Sequence, residues 1–337
     1  MLISLRFCYS TINSIMKILV TGGAGYVGST LSAMLLGGGH SVRVIDSLMH
    51  GGTSLLPVWS HPQFEFLLGD IGDPQTMASA VQGVDAVVHL AAIVGDPACS
   101  RQPDLARSTN RDASIALIES SKRAGVSRFL FASTCSNYGK MKDPGRLVDE
   151  TSELIPISLY AETKVAVEKV LLNPANTGGL CATSLRFATV FGVSPRVRFD
   201  LTVNEFAMEI VTKRKLVVFG EQFWRPYIHV RDAARGIVTI LEADASKVRS
   251  QVFNVGSTSQ NYTKQMLVDL LRPYAPDAVV EFVHKEEDPR DYRVSFAKIE
   301  SELGFNITRK VEDGIREVVR LVESGIIKDY GNPLFRN

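Results

Sequence analysis

Cysteine is scarce and scattered in this sequence. The 337 residues include four, Cys8, Cys99, Cys135 and Cys181, with no CxxC pair and no Cys/His group at zinc-binding spacing. That pattern excludes a disulfide framework and a structural zinc, and it predicts a reducing, cytoplasmic location with no metal site. The six histidines, His40, His50, His61, His89, His229 and His284, are equally isolated, and each reads as a turn or core residue rather than a ligand. No uncharged apolar run reaches the roughly 18 residues of a membrane span, so no membrane partner is expected. Neither sign of charge is in excess: 37 Lys plus Arg against 36 Asp plus Glu leaves a formal net charge of +1. With no basic stretch either, nucleic acid is not an expected partner, and any anionic ligand must be held by a local site.

What is present is ordinary globular text, 45% hydrophobic and 22% charged, which argues against disorder and coiled coil. The length suits two domains, or one large α/β unit with an appendage. Residues 1–15 carry one Arg, no acid and several Ser/Thr, but no compact apolar region with a small-residue cleavage site. They read as a disordered leader or as sequence upstream of a start at Met16, with a weak organellar transit peptide as the minor reading.

From Lys17 onward, strand-length apolar runs alternate with longer periodic segments: KILVT (17–21), a helical stretch to Gly37, SVRVID (41–46), FEFLL (64–68), DAVVHLA (85–91) and RFLFAS (128–133). Repeated β and α units with continuous Val/Ile/Leu strands predict a doubly wound parallel sheet, a Rossmann-type α/β fold. Apolar residues at three- and four-residue spacing predict helices near 103–124 and 158–172. After LRFATVFG (185–192) the alternation breaks, and it resumes at 227–243 and at VFNVGS (252–257). The expected division is a nucleotide-binding domain over 16–192 plus 227–257, and a smaller discontinuous substrate lobe over 193–226 plus 258–330.

Between the first strand and the first helix stands Thr21-Gly22-Gly23-Ala24-Gly25-Tyr26-Val27-Gly28, which fits GxGxxG and GxxGxxG at once. In that position glycines permit a tight turn, let backbone N–H groups approach a pyrophosphate, and let helix and sheet pack closely. Asp46 ends the second strand 18 residues beyond Gly28, where a carboxylate accepts hydrogen bonds from an adenosine ribose diol. It would repel a 2′-phosphate, and Ser47-Leu48-Met49 supplies no cation to offset that, so NAD is expected rather than NADP; Arg43, nearby on the same strand, is the one competing charge. Asp70, after the third strand, suits the adenine edge, or equally a helix cap near Asp73.

Tyr160 and Lys164 stand four residues apart, on one face of a helix. They follow a strand that ends at Ser133-Thr134-Cys135-Ser136, and the C-terminal ends of strands in an open α/β sheet are where ligands sit. A neighbouring ammonium and a cationic nicotinamide would stabilise the Tyr160 phenolate, making it a usable base, while Thr134 would hydrogen-bond the same substrate hydroxyl.

Together with GDI (69–71), HLAA (89–92), Asn110, LRFATVFG and RPYIHVRDAA (225–234), these motifs make the chain resemble the extended short-chain dehydrogenase/reductase family over about residues 16–320. The branch it resembles is that of the NAD-dependent nucleotide-sugar epimerases and dehydratases, typified by UDP-glucose 4-epimerase. The resemblance implies a Thr134/Tyr160/Lys164 triad. It implies NAD held by Gly22, Gly25, Tyr26, Val27, Gly28, Asp46, Ser47, Asp70, Ile71, Leu90, Ala91, Ala92, Asn110 and Ser133, with Tyr160 and Lys164. It also implies a nucleotide diphosphate sugar against Thr134, Thr189, Arg225 and Arg290, and a homodimer formed through the helices near 103–124 and 158–172. Thr189 departs from the Asn usual in that segment of the family, which bears on the sugar nucleotide accepted. Arg196, Arg198 and Arg293 are either further diphosphate ligands or ion-paired surface residues.

In this branch the fate of a 4-ketone separates the enzymes. Related 4,6-dehydratases carry an Asp-Glu pair directly after the catalytic Thr; here Cys135-Ser136 stands there. A thiol and a hydroxyl are a poor acid and base for eliminating water. The expectation is therefore C4 epimerisation, with a 4-dehydrogenase or 4-ketoreductase as the alternative and a 4,6-dehydratase or a silent NAD-binding protein less favoured. Cys135 reads as a base, as in related 3,5-epimerases, or as a small buried hydrophobe.

Overall fold

The computed structural model describes residues 15–141, 143, 145–285 and 291–337, so all of the expected leader except Ile15 lies outside the described residues. Six strands come in succession: β1 (Lys17–Thr21), β2 (Ser41–Asp46), β3 (Phe64–Leu68), β4 (Ala86–His89), β5 (Arg128–Thr134) and β6 (Cys181–Phe187). Three short strands follow, β7 (Thr189–Phe191), β8 (Lys215–Phe219) and β9 (Trp224–His229). The chain then returns as β10 (Gln251–Val255) before closing with β11 (Asn261–Thr263) and β12 (Val279–Val283). The main sheet has seven strands in the order β10-β6-β5-β4-β1-β2-β3, all parallel. This is the Rossmann-type doubly wound sheet that the alternating text predicts.

The strands are apolar on both faces because both faces are covered. One core packs Leu31 and Leu35 of the first helix (Tyr26–Gly37) and Ile237 and Ile240 of the helix Val230–Glu242 against Ile18, Val20 and Val44. The other packs Leu117 and Ile118 of the helix Ser114–Arg123 and Val167 and Leu171 of the helix Leu159–Leu171 against Leu19, Val87 and Phe129. A third core, away from the sheet, draws Phe199, Phe206 and Ile210 together with Leu267, Ile315 and Val318, residues far apart in sequence.

β1 pairs with β2 on one side and β4 on the other, so the chain leaves the two central strands in opposite directions and opens a crevice at their C-terminal ends. There the buried His89 ring spans two hydroxyls, Nδ1 2.7 Å from Thr21 Oγ1 and Nε2 2.8 Å from Ser114 Oγ. Burial, and after it the Lys164 charge, lower its pKa to about 3, so His89 is a neutral core bridge.

The helix expected over 103–124 is three pieces: Pro103–Arg107, a wider π turn over Ser108–Ala113, and Ser114–Arg123. Ser114 Oγ donates to the Asn110 carbonyl at 2.8 Å, and within the turn the buried Asn110 side chain binds the backbone of Ile93. The helix expected over 158–172 forms at Leu159–Leu171, capped by Ser158 Oγ, which accepts from Ala161 N at 3.3 Å.

Candidate active site

A cavity of about 720 Å³ lies over the crevice, and the glycine loop forms one wall of it. Gly22 sits at φ +70°. Its amide donates to Ile45 O at 2.9 Å, and a Cβ there would lie 2.8 Å from Ala91 N. A Cβ on Gly28 would collide with the Gly22 carbonyl oxygen and stand 2.7 Å from Gly23 Cα. Gly25 supplies no side-chain cap to the first helix, so the N–H groups of its opening turn, at Tyr26 and Val27, face the cavity end without a side-chain acceptor. A positive helix end over a floor that tolerates no Cβ is a cradle for a pyrophosphate.

Asp46 lines the same wall, its Oδ2 accepting from Ala24 N at 3.0 Å and its Oδ1 from Leu48 N at 2.8 Å. Burial raises its carboxyl pKa against these bonds and the nearby Arg196 charge. Ser47, Asp70 and Ile71 continue the wall, and Leu90, Ala91 and Ala92 form the floor beyond β4. Arg43 is spent elsewhere, donating to the Ala80 and Gln82 carbonyls at 2.8 and 2.7 Å and pairing with Glu65.

The opposite wall carries the reactive side chains. Ser133 and Thr134 end β5, and Thr134 Oγ1 accepts from Ser136 N at 3.1 Å. Tyr160 and Lys164 reach the cavity from one face of the helix Leu159–Leu171. Lys164 Nζ donates to the Ala132 carbonyl at 2.8 Å and lies 4.7 Å from the Phe131 ring centroid and 5.7 Å from that of Tyr160. Burial dominates the titration of both groups. Burial, then the neighbouring Cys99 and Asp96, raise the Tyr160 phenol above its usual range, while burial lowers Lys164 to about 8 against Cys99 and Glu168. The protein alone therefore holds Tyr160 neutral, and lowering the phenol requires a further positive charge in the cavity.

Not all of the residues singled out in the sequence line the cavity. Asn110 does not line the cavity; its Oδ1 accepts from Ile93 N at 2.8 Å and its Nδ2 donates to Ile93 O at 2.9 Å, so it shapes the loop after β4 from behind. Cys135 does not line it either: the thiol is buried, donates to Arg186 O at 3.2 Å, and has its pKa pushed well up by burial, which removes it as a base. Ser136 does face the cavity, 3.3 Å from the Tyr292 hydroxyl. Arg225 lies outside the lining, donating to Trp224 O at 2.6 Å with its guanidinium 5.3 Å from the Tyr292 ring centroid. Arg293 stacks over Trp224 at 5.2 Å, and Arg290 lies outside the described residues. Thr189, at the start of β7, lines the cavity.

Arg196 and Arg198 line the cavity at the Asp46 end. Arg196 donates to Arg336 O at 2.9 Å, and Arg198 forms a two-pronged pair with Asp200 at 2.9 and 2.6 Å. Beside them stand three residues that sequence reading missed: His50, whose pKa is lowered to about 4 by burial and then by these two arginines, and Arg336 and Asn337. The loop Ile93–Asp96 and Tyr292 were missed as well. Only Tyr292 left a local trace, as the aromatic in DPRDYR; Arg336 and Asn337 arrive because Phe335 packs on Phe199, a contact no local pattern announces. Among the described residues no helix is long and apolar enough to cross a membrane, and no group of three or more His, Cys, Asp or Glu side chains is placed to hold a metal.

Residues 18–256 match the family described as NAD dependent epimerase/dehydratase. A UDP-glucose 4-epimerase of Corynebacterium glutamicum is 29% identical over 308 residues, 86% of this chain and 90% of that protein. Among solved structures, a dTDP-glucose 4,6-dehydratase from Streptomyces venezuelae with NAD bound superposes with a TM-score of 0.83 at 28% identity, over 95% of this chain and 100% of that one. A UDP-glucose 4-epimerase from Thermotoga maritima with UDP-glucose gives 0.82 at 28% identity, over 93% and 100%.

Proposed function

The chain belongs to the NAD dependent epimerase/dehydratase family, and on that premise we propose that it is a nucleotide-sugar epimerase acting at C4 through a transient 4-keto sugar. The observation that carries this reading is the composition of the wall opposite the glycine loop. Thr134, Tyr160 and Lys164 line the cavity together, while the two positions after Thr134 offer a buried thiol and a hydroxyl instead of an acid and a base.

NAD is the family's cofactor, and the uncapped helix end, the glycine floor and Asp46 fit it. Bound there, it supplies a reversible hydride acceptor. The chain's own residues handle the proton. Tyr160 takes it from the sugar hydroxyl oxygen and returns it. Lys164, with its pKa near 8, is mostly protonated at neutral pH and favours the phenolate once the cavity holds further positive charge. Thr134 hydrogen-bonds the oxygen that becomes the ketone. Asp46, by meeting the adenosine ribose diol, supports NAD over NADP, and Thr189 and Ser136 face the sugar side.

The reading extends to a homodimer built on the helices near 103–124 and 158–172. The test is purified enzyme with NAD and a panel of nucleotide diphosphate hexoses, analysed by chromatography in deuterated water. A C4 epimer without solvent deuterium is expected; NADH accumulating in proportion to sugar consumed, with no epimer, overturns epimerisation in favour of a 4-dehydrogenase.

A further inference from the structure

Behind the reactive wall lies a buried ion pair that the chemistry above does not use. Glu168 follows Lys164 by four residues and Tyr160 by eight, so all three share one helix face. Its Oε2 accepts from Arg186 Nη2 of β6 at 2.7 Å, and its Oε1 accepts from Arg186 Nε at 3.1 Å, Ser184 Oγ at 3.1 Å and Asn137 Nδ2 at 3.2 Å. Asn137 also donates to Ser133 Oγ at 3.1 Å. Arg186 Nη1 donates to the Tyr138 hydroxyl at 3.1 Å, which donates onward to Asn254 of β10 at 2.7 Å. The two charged side chains are 5% and 2% exposed. Burial works against the Arg186 charge, but the Glu168 bonds outweigh it and hold its pKa above the usual range.

Stability alone does not call for such a pair, because well-packed apolar residues in the same space are often as stabilising or more so. What hydrocarbons do not provide is direction. The carboxylate receives bonds from the strand beside β5 and from the turn Cys135–Tyr138 that follows Thr134, and it sits on the helix that carries the other two members of the triad.

We propose that Glu168 and Arg186 are positioning residues for the reaction: they register the helix bearing Tyr160 and Lys164 against the turn after Thr134, and they place one carboxylate a helical turn from Lys164. The proposal rests on the assignment of Tyr160 and Lys164 made above. Lys164 is faced by Tyr160 and Glu168 from its own helix, Cys99 from the helix Asp96–Arg101, His89 from β4 and the Ala132 carbonyl from β5. Among these, Glu168 is the nearby carboxylate that favours the ammonium.

The test compares wild type, Glu168→Gln and the double variant Glu168→Met with Arg186→Met, which replaces both charges so that the fold is not left with one of them unpaired. NADH affinity is titrated from pH 6 to pH 10 with no sugar nucleotide present, alongside thermal melting. In wild type, affinity is expected to fall above about pH 8 as Lys164 loses its proton. The fall is expected about one pH unit lower in Glu168→Gln, and lower by a smaller shift in the double variant, whose melting temperature stays near wild type. Should Glu168→Gln not fold, the double variant carries the test. A break at the wild-type pH in every folded variant overturns the proposal. Because no sugar is used, a shifted break beside absent epimerisation overturns the substrate reading alone.

Discussion

On the wall made by β1 and the first helix, the cavity owes its shape to missing side-chain atoms: Gly22 and Gly28 approach other backbone so closely that a single carbon has no room. The wall made by β5 and the helix Leu159–Leu171 works by buried charge, with Lys164, Glu168 and Arg186 all withdrawn from water. The first wall discriminates by volume and reads a ligand's backbone-like phosphates; the second discriminates by protonation state. Errors of size on the first wall should therefore damage cofactor retention, and removal of the Tyr160 hydroxyl from the second should damage turnover while binding persists.

The largest effect that would sharpen this contrast belongs to the charged wall. Tyr160→Phe keeps the ring and removes the proton carrier, so turnover should fall about 10²- to 10⁴-fold while NAD affinity, read by calorimetry, stays within about threefold. Undiminished turnover would take Tyr160 out of the chemistry. On the glycine wall, Gly28→Ala should cost about 1–3 kcal/mol, seen as an NAD affinity lowered about tenfold or more and a reduced melting temperature. Unchanged NAD binding in that variant would break the comparison, since the cradle would then not be where the dinucleotide rests.

A third substitution lies in neither wall and calibrates both. Burial raises Glu317, but the His229 hydrogen bond at 2.8 Å and the charges around it outweigh that and hold its carboxyl at about 2. A depressed carboxyl stabilises the fold above its unfolded value of about 4.5, and that contribution is lost as pH falls through about 2. With Glu317 about a third exposed, Glu317→Gln should cost about 1 kcal/mol at pH 7 and less at pH 3 in urea unfolding, flattening the acid limb with little change in NAD affinity. The smallest effect should come from Cys135→Ala, at about 1 kcal/mol of stability and turnover within about twofold, because the thiol packs behind the reactive wall. A large loss of turnover there would return a chemical role to Cys135.

The central sheet and the two motif-bearing walls were legible because their signals are contiguous. Strand-length apolar runs gave β1, β2 and β3 to the residue, and the glycine loop and the Tyr160–Lys164 pair declare themselves within eight residues each. Asn110 sits behind the cavity because a π turn carries it and its amide binds the Ile93 backbone, a placement that no local sequence pattern announces. Sequence left Arg196 and Arg198 between diphosphate ligands and ion-paired residues; both line the cavity, Arg198 paired with Asp200, and Arg336 meets Arg196 from 140 residues away. The direction of the Tyr160 and Lys164 shifts was not legible at all, since it depends on how much water the finished fold excludes from each group.

The placement of β10 also bears on how the molecule is made. Roughly 60 residues separate it from β6, the strand it covers. At about 5–20 residues per second of synthesis, β6 stands as an open edge for about 3–12 seconds, long enough to pair with another nascent chain. Arg186 lies within that edge, and a charge embedded in an uncovered strand discourages such pairing.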